Sequence, residues 1–376
     1  MKKIIPIILI LSACLLLLSC GKDGENSENS ESRGNRKNKE TEEIQTESPV
    51  ETTVAAGPEY TVEDFREAGV DELFYTPILM YHRIYDMRND ETQYTGGNVD
   101  PDGYNRTAEA FENDLETFYE WGYRMIRLDD YMKGYIDVEF GYSPVILTFD
   151  DGEEQAVVEE FDAGGNPVFA KGCAMDVLEK MKKKYPDYNV TATFFLNSTL
   201  FGNDEETDKR LVKWMVDNGY DIGNHTLNHP HLPKCSAEEI EVQVGYMDKI
   251  LEDIIPGRHV GIVALPFGEP TDIHSDSKFD KIFNGTYKGH QYTNHTTLIC
   301  GWTYEESPFF TTLDPTYVKR IRAYDNGGID FDIEYNFKQL NEGRRYISDG
   351  DPERIVIRKE DRQWLGQTYG KEVLEY

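Results

Sequence analysis

The chain is poor in three things, and each shortage narrows what it can be. Only five of its 376 residues are cysteine, and beyond the first twenty positions they stand far apart, at Cys173, Cys235 and Cys300. That spacing supports neither a disulfide framework nor a thiolate zinc site, so the three read as small core residues. Positive charge is also sparse: 39 Lys and Arg face 70 Asp and Glu, for a net charge of −31. A surface so acidic repels phosphate backbones and anionic lipid surfaces, which argues against nucleic acid as a partner. Apolar residues make up 39% of the chain, and beyond the first twenty positions every apolar run is short.

The one longer run, Ile4 to Leu18, follows Lys2 and Lys3. It is short for a membrane span, which needs roughly 20 apolar residues, and it reads as an export signal. It ends in Leu-Leu-Ser-Cys, and Cys20 is followed by a polar stretch. This resembles the lipobox of bacterial lipoproteins, so residues 1–20 are expected to be a signal segment and Cys20 the lipidated residue. Cys14 fits the pattern too, but a cut there would leave an apolar stub. Residues 21–58 are rich in Ser, Asn, Glu, Lys and Thr. Such a stretch buries too little to offset its ordering entropy, so it is expected to be a disordered tether. Residues 59–376 then form the folded domain, outside the cytoplasm and held to the membrane only through the lipid.

Within that domain short apolar runs predict buried strands at Pro77–Tyr81, Val145–Phe149, Val190–Leu196, Val260–Leu265, Thr297–Trp302 and Arg354–Ile357. Helix-period stretches lie between them at Ala108–Trp121, Cys173–Lys184, Asp208–Asn218 and Ala237–Ile254, the last with Ser236 as N-cap and Glu239 three residues on. Strands alternating with helices indicate an α/β domain with a parallel sheet, either a barrel or an open sheet, whose ligands gather at the carboxyl ends of the strands.

Two groups of residues stand at such ends. In LTFDDG the strand finishes at Phe149, and Asp150, Asp151 and Gly152 turn out of it. At a strand terminus, unlike within a strand, two adjacent carboxylates can converge on one site. In GNHTLNHPHL, His225 and His229 lie four apart, and Pro230 disfavours helical geometry at His229. His231 reads as a supporting group. Two histidines and one carboxylate with open positions make a catalytic metal site, and the second carboxylate can act as general base on a water there. Metal-assisted hydrolysis of a carbonyl derivative is the expectation.

TFDDG followed some seventy residues later by His-Thr-x-x-His-Pro resembles the polysaccharide deacetylases of carbohydrate esterase family four, the NodB homology domain. The resemblance, from about Pro77 to about Ile357, implies a distorted (β/α) barrel with Asp150 as base and Asp151, His225 and His229 as metal ligands. It implies a divalent ion, zinc first, with cobalt, nickel or manganese as alternatives. The substrate would be an N-acetylated amino-sugar polymer such as peptidoglycan, poly-N-acetylglucosamine or a chitin-like chain. Three family motifs depart from pattern. The third, usually Arg-x-Pro-(Phe/Tyr), reads Ala264-Leu265-Pro266-Phe267, so its arginine is missing, and Arg320 or Arg322 is the candidate replacement. Phe267 would still offer a backbone N–H to an oxyanion. The fourth motif resembles Gly301-Trp302, with Trp302 either walling the acetyl pocket or part of the core.

The fifth motif, Leu-x-His on a late strand, is absent, with Arg358 at the expected place. His82, after PILMY, resembles the early histidine of circularly permuted poly-N-acetylglucosamine deacetylases, which implies a general acid there. Permutation also predicts that Pro77–Tyr81 lies beside Arg354–Ile357 in the barrel wall. The insertion from Glu153 to Pro186 is expected to shape the groove or elaborate the surface. Two other functions stay open: a surface lipoprotein that binds glycan without turnover, and an O-acetyl esterase or other amidase of the same fold.

Overall fold

The computed structural model describes residues 60–86, 97–100 and 102–376. The expected signal segment, the tether and Cys20 lie outside them. The described residues form one compact unit, and no helix among them is long and apolar enough to cross a membrane.

Eight parallel strands build the frame: β1 (Ile78–Tyr81), β2 (Tyr123–Met125), β3 (Ser143–Phe149), β4 (Thr193–Leu196), β5 (Asp221–Asn224), β6 (Ile262–Ala264), β7 (Thr296–Leu298) and β8 (Ile321–Arg322). Their order is β7-β6-β5-β4-β3-β1-β8, with β2 paired to the first half of β3. The two ends of this path approach each other. Val318, just before β8, bridges in parallel to Leu298 of β7, while Ile321 and Arg322 pair with Leu79 and Met80 of β1. The sheet therefore curls into a distorted (β/α) barrel, the fold class expected. Parallel strands covered on both faces read as continuous apolar runs rather than alternating ones, and all seven residues of β3 are buried.

Strand alternation sorts the side chains. Ile78, Ile146, Phe195, Ile262, Ala264, Leu298 and Val318 form one buried cluster in the barrel interior. Their neighbours Leu79, Leu147, Phe194 and Ile222 instead meet the outer helices, among them α1 (Ala108–Glu120), α2 (Ala174–Lys184) and α3 (Glu205–Asp217). Helix α4 (Ala237–Ile254) covers Val263 and Leu265 through Ile240 and Val244. Ser236 closes its start with a capping box to Glu239, as the sequence suggested.

The expectation for the last strand is corrected. Arg354–Ile357 is a strand, but it pairs with Glu372–Glu375 in a separate two-stranded sheet. The neighbours of β1 are β3 and β8, so the stave next to His82 is Ile321–Arg322. That strand escaped notice because two residues carry no periodic signal. The run from Thr297 to Trp302 also shortens to Thr296–Leu298. The insertion after Gly152 holds an antiparallel hairpin, Val158–Phe161 with Pro167–Phe169, before α2.

Under β1 sits a buried polar group. Arg106 Nη2 donates to Asp114 Oδ1 at 2.7 Å, its Nη1 to Asp325 at 3.0 Å, and Tyr81 Oη to Asp114 at 3.1 Å. Arg106 and Asp114 are 2% and 5% exposed, so removing either partner strands a charge in the core. Arg106→Met is expected to cost ~3–5 kcal/mol in denaturant unfolding, whereas Arg66→Met at an exposed helix pair should stay within ~0.5 kcal/mol.

Candidate active site

The interior-facing positions of the staves lead to the site. Ile146 and Thr148 are followed in the same phase by Asp150, Ile78 and Met80 by His82, Leu298 by Cys300, and Val318 by Arg320. At these four carboxyl ends the buried apolar layer thus gives way to chemistry.

Asp150 is 1% exposed and Arg320 is fully buried. They form a bidentate pair, with Arg320 Nη1 donating to Oδ1 at 2.8 Å and Nη2 to Oδ2 at 2.7 Å. The guanidinium is held in place by Nε donating to the Ile299 carbonyl at 3.0 Å and Nη1 to Thr148 Oγ1 at 3.0 Å. Burial opposes ionisation of Asp150, but the charges of Arg320 and His225 and the Arg320 hydrogen bonds prevail, holding the carboxyl below the usual range. Arg320 thereby takes the place of the arginine missing before Pro266, one of the two candidates named from the sequence.

Asp151 adopts φ = 76°, the left-handed region, and Gly152 follows at 81°. A Cβ on Gly152 would stand 2.1 Å from the Leu200 carbonyl oxygen, so only glycine lets the chain turn this tightly. The turn sends Asp151 away from Asp150 and towards the histidines. Its Oδ1 is 3.3 Å from His225 Nε2 and 3.6 Å from His229 Nε2, and one ligand atom from each of the three lies within 4.8 Å of the others. The three predicted ligands are therefore brought together.

The chemistry of these atoms fits a cation. His225 Nδ1 is 2.9 Å from the Ala264 carbonyl oxygen, which can only accept, so Nδ1 carries the proton and Nε2 presents a lone pair. That Nε2 is buried without a hydrogen-bond partner and faces a carboxylate, two acceptors with nothing between them. Burial pushes the His225 imidazole down, yet Asp150 and Asp151 outweigh it and raise its pKa. The site draws positive charge. His229, half-buried and held below its ordinary value by burial and by His225, remains a neutral donor at neutral pH. These are the residues that could hold a divalent ion, with Asp151 and His229 open to solvent on one side.

His82 follows β1 as Asp150 follows β3, and Tyr81 pairs with Phe149, so the two enter the site from adjacent strands. Burial lowers the His82 pKa, with Asp150 and Asp151 opposing, and its Nδ1 has no hydrogen-bond partner. His231 is not among the clustered ligands. It stacks on Phe267 at 4.0 Å and donates from Nδ1 to the Glu269 carboxylate at 2.9 Å, while Phe267 also meets His229 at 4.5 Å. Phe267 is thus a buttress for a ligand as well as part of the rim. Trp302 is 54% exposed, which removes the core reading of that residue.

Cys300 was read as a plain core residue and is corrected: it lies near enough to Arg320, Asp150 and Asp151 to feel their charges, and burial pushes its thiol up to about 11. It is therefore a thiol at neutral pH, not a thiolate ligand. The parity of Leu298 would have pointed to it.

Residues 137–281 match the family model described as polysaccharide deacetylase. A chitooligosaccharide deacetylase of Sinorhizobium fredii is 30% identical over 139 residues, 37% of this chain and 54% of that protein. A peptidoglycan-N-acetylglucosamine deacetylase of Bacillus cereus is 30% identical over 130 residues, 35% of this chain and 38% of that protein. The chain therefore spans about half or less of the length of these relatives. A solved Streptococcus pyogenes deacetylase, in complex with acetate, aligns over 67% of this chain and 93% of its own at 18% identity, with a TM-score of 0.45. The matched stretch holds Asp150, Asp151, His225, His229 and Phe267; His82, Trp302 and Arg320 lie outside it.

Binding of a metal to the folded state alone raises stability by mass action. Zinc at a hundredfold excess over its dissociation constant is expected to stabilise the chain by ~2.7 kcal/mol, and His225→Ala should abolish the shift. A thermal-unfolding titration with and without a chelator measures both.

Proposed function

We propose that this chain, whose residues 137–281 belong to the polysaccharide deacetylase family, removes N-acetyl groups from an N-acetylglucosamine-containing polymer. The observation that carries the reading is the convergence of Asp151, His225 and His229 beside an Asp150 held ionised by Arg320. A divalent ion at the three ligands, zinc first and otherwise cobalt, nickel or manganese, would polarise the acetyl carbonyl and make a water acidic enough to attack near neutral pH.

The chain's own groups do the rest. Both Asp150 oxygens are tied to Arg320, but a carboxylate has about four lone-pair directions, so one remains to accept a proton from the attacking water. The Arg320 charge keeps that carboxylate unprotonated. As the carbonyl oxygen gains charge, the backbone N–H of Phe267 would donate to it, a role that needs no particular side chain. Expelling the amine requires a proton on its nitrogen. His82, half-buried and with its Nδ1 unpartnered, would be the group that supplies it. Trp302 would wall the acetyl pocket. The placement of β1 between β3 and β8 supports the permuted arrangement, with His82 serving for the late-strand histidine that the chain does not have.

The missing third-motif arginine and the displaced fifth motif favour a glycan binder without turnover; the Arg320–Asp150 pair speaks against the first of these grounds. An O-acetyl esterase or another amidase would use the same groups. Sequence alone supports the location: export, lipidation at Cys20 and a tether reaching from the membrane towards peptidoglycan, poly-N-acetylglucosamine or a chitin-like polymer.

Acetate release by the metal-loaded protein from a panel of N-acetylated and O-acetylated glycans tests the function, and no release from any N-acetylated glycan would refute it. Asp150→Asn should lower turnover by roughly 10²–10⁴-fold and leave the zinc-induced thermal shift nearly intact. His82→Ala should likewise impair turnover more than metal affinity. Near-normal turnover by either variant would show that the acid or the base lies elsewhere.

A further inference from the structure

Two positions beyond Arg320, Arg322 faces the same interior side of its strand, one strand period of roughly 7 Å nearer the mouth. Three aromatic rings surround its guanidinium. The carbon Cζ lies 4.0 Å from the centre of the Tyr324 ring, 5.1 Å from that of Tyr104 and 5.2 Å from that of Trp302. Tyr104 also meets His82 edge-on at 5.1 Å. The guanidinium therefore lies at most about 10 Å from the His82 ring, with a single tyrosine between them.

Among the described residues this arginine has no acceptor. Acids outnumber bases 70 to 39 in the chain, and the other arginines nearby are neutralised: Arg320 by Asp150, Arg106 by Asp114 and Asp325, Arg83 by Glu153. Among the described residues neither a carboxylate nor a carbonyl pairs with Arg322, and its Nε is buried without a hydrogen-bond partner. The terminal nitrogens, which also make no hydrogen bond among the described residues, are the part of the group left open to solvent. Aromatic rings engage the faces of a guanidinium; its N–H groups point outward in the plane and require acceptors of their own. The stacking thus fixes the plane of the fork and leaves its donors available.

We propose that Arg322, framed by Tyr104, Tyr324 and Trp302, is a subsite for a negatively charged substituent on the glycan, a carboxylate or a phosphate, next to the sugar being deacetylated. This rests on the deacetylase reading for the position of that sugar. The planar fork suits either anion, since both accept two parallel N–H bonds. Against an otherwise acidic surface, one uncompensated arginine at the mouth separates an anionic glycan placed in register from one that is not.

The test measures equilibrium binding of the metal-loaded full chain to three tetramers. One is N-acetylglucosamine alone, one alternates with N-acetylmuramic acid and so carries carboxylates, and one carries a phosphate. The wild type should prefer one or both anionic tetramers over the neutral one by about tenfold to hundredfold, the usual worth of a charge-assisted pair. Which tetramer is preferred identifies the anion. Arg322→Gln should erase the preference and leave affinity for the neutral tetramer within about twofold; Arg322→Lys should keep part of it. Equal wild-type affinity for all three overturns the proposal, with no variant needed. So does an Arg322→Gln protein that binds all three equally less well, which would mark a purely structural arginine. Acetate release is read in the same samples. If none appears while the anionic preference stands, deacetylation fails and the subsite does not.

Discussion

A charged side chain taken wholly out of water must meet its counter-charge, and Arg320 and Asp150 impose that condition on everything around them. Neither could be buried alone without several kcal/mol of uncompensated desolvation. Their pairing requires β3 and the segment before β8 to lie within one hydrogen bond of each other across the barrel interior. That segment has few means of staying there. It offers a single bridge to β7 at Val318 and two paired residues against β1. The ion pair, with the Arg320 bonds to the Ile299 carbonyl and to Thr148, ties these strands together where the backbone ladder is thinnest. The closure of the barrel and the ionisation of the proposed base thus share one contact.

The ligand side of the site depends on a different device, backbone strain held by its surroundings. Asp151, Thr226 and His229 all occupy positive φ, at a cost of order 1–3 kcal/mol each for residues with a Cβ. The loop carrying the histidines is anchored to α4 through Leu227 N–H donating to the Gln243 carbonyl at 2.8 Å and through Asn224 Nδ2 donating to the Val244 carbonyl at 3.0 Å. Asn224 Oδ1 in turn accepts from the Thr226 N–H at 2.8 Å. The helix that covers β6 therefore also sets the orientation of the two imidazoles. Phe267, itself stacked on His231, braces His229 from the other side, so the loop after β6 serves the candidate metal site.

The sequence made legible what has a period or a dense local pattern. Strand runs such as VILTF and helices such as Ala237–Ile254 carry burial along their whole length, and two acids before a glycine or two histidines before a proline mark places where the chain must turn with polar groups exposed. Closure left no such mark. Ile321–Arg322 is two residues long, and its identity as a stave depends on β1 and β7 lying on either side, a fact about distant strands. Conversely, Arg354–Ile357 has all the apolar character of a stave and none of the neighbours, because its partner Glu372–Glu375 lies outside the barrel. Trp302, open between core and pocket wall, and Cys300, which reads as core from the sequence, share a related reason. One interior position at a strand end can be core or site, and only the height of the layer decides.

Interior parity resolves much of this once the staves are known, and it explains how the same groups can converge from displaced motifs. In a closed barrel the distance between two strand ends depends on which staves are neighbours, not on how far apart they are in the chain. An arginine needed beside the base can come from the end of β6 or from the segment just before β8. What matters is that it leaves an interior position one layer below the mouth, as Arg320 does in phase with Val318. A histidine needed near the base can likewise arrive from the first stave as well as the last. The same rule constrains Arg322. Being in phase with Arg320 and one layer higher, it cannot share the buried pair, and it must either find an acceptor at the mouth or leave its N–H groups for a ligand.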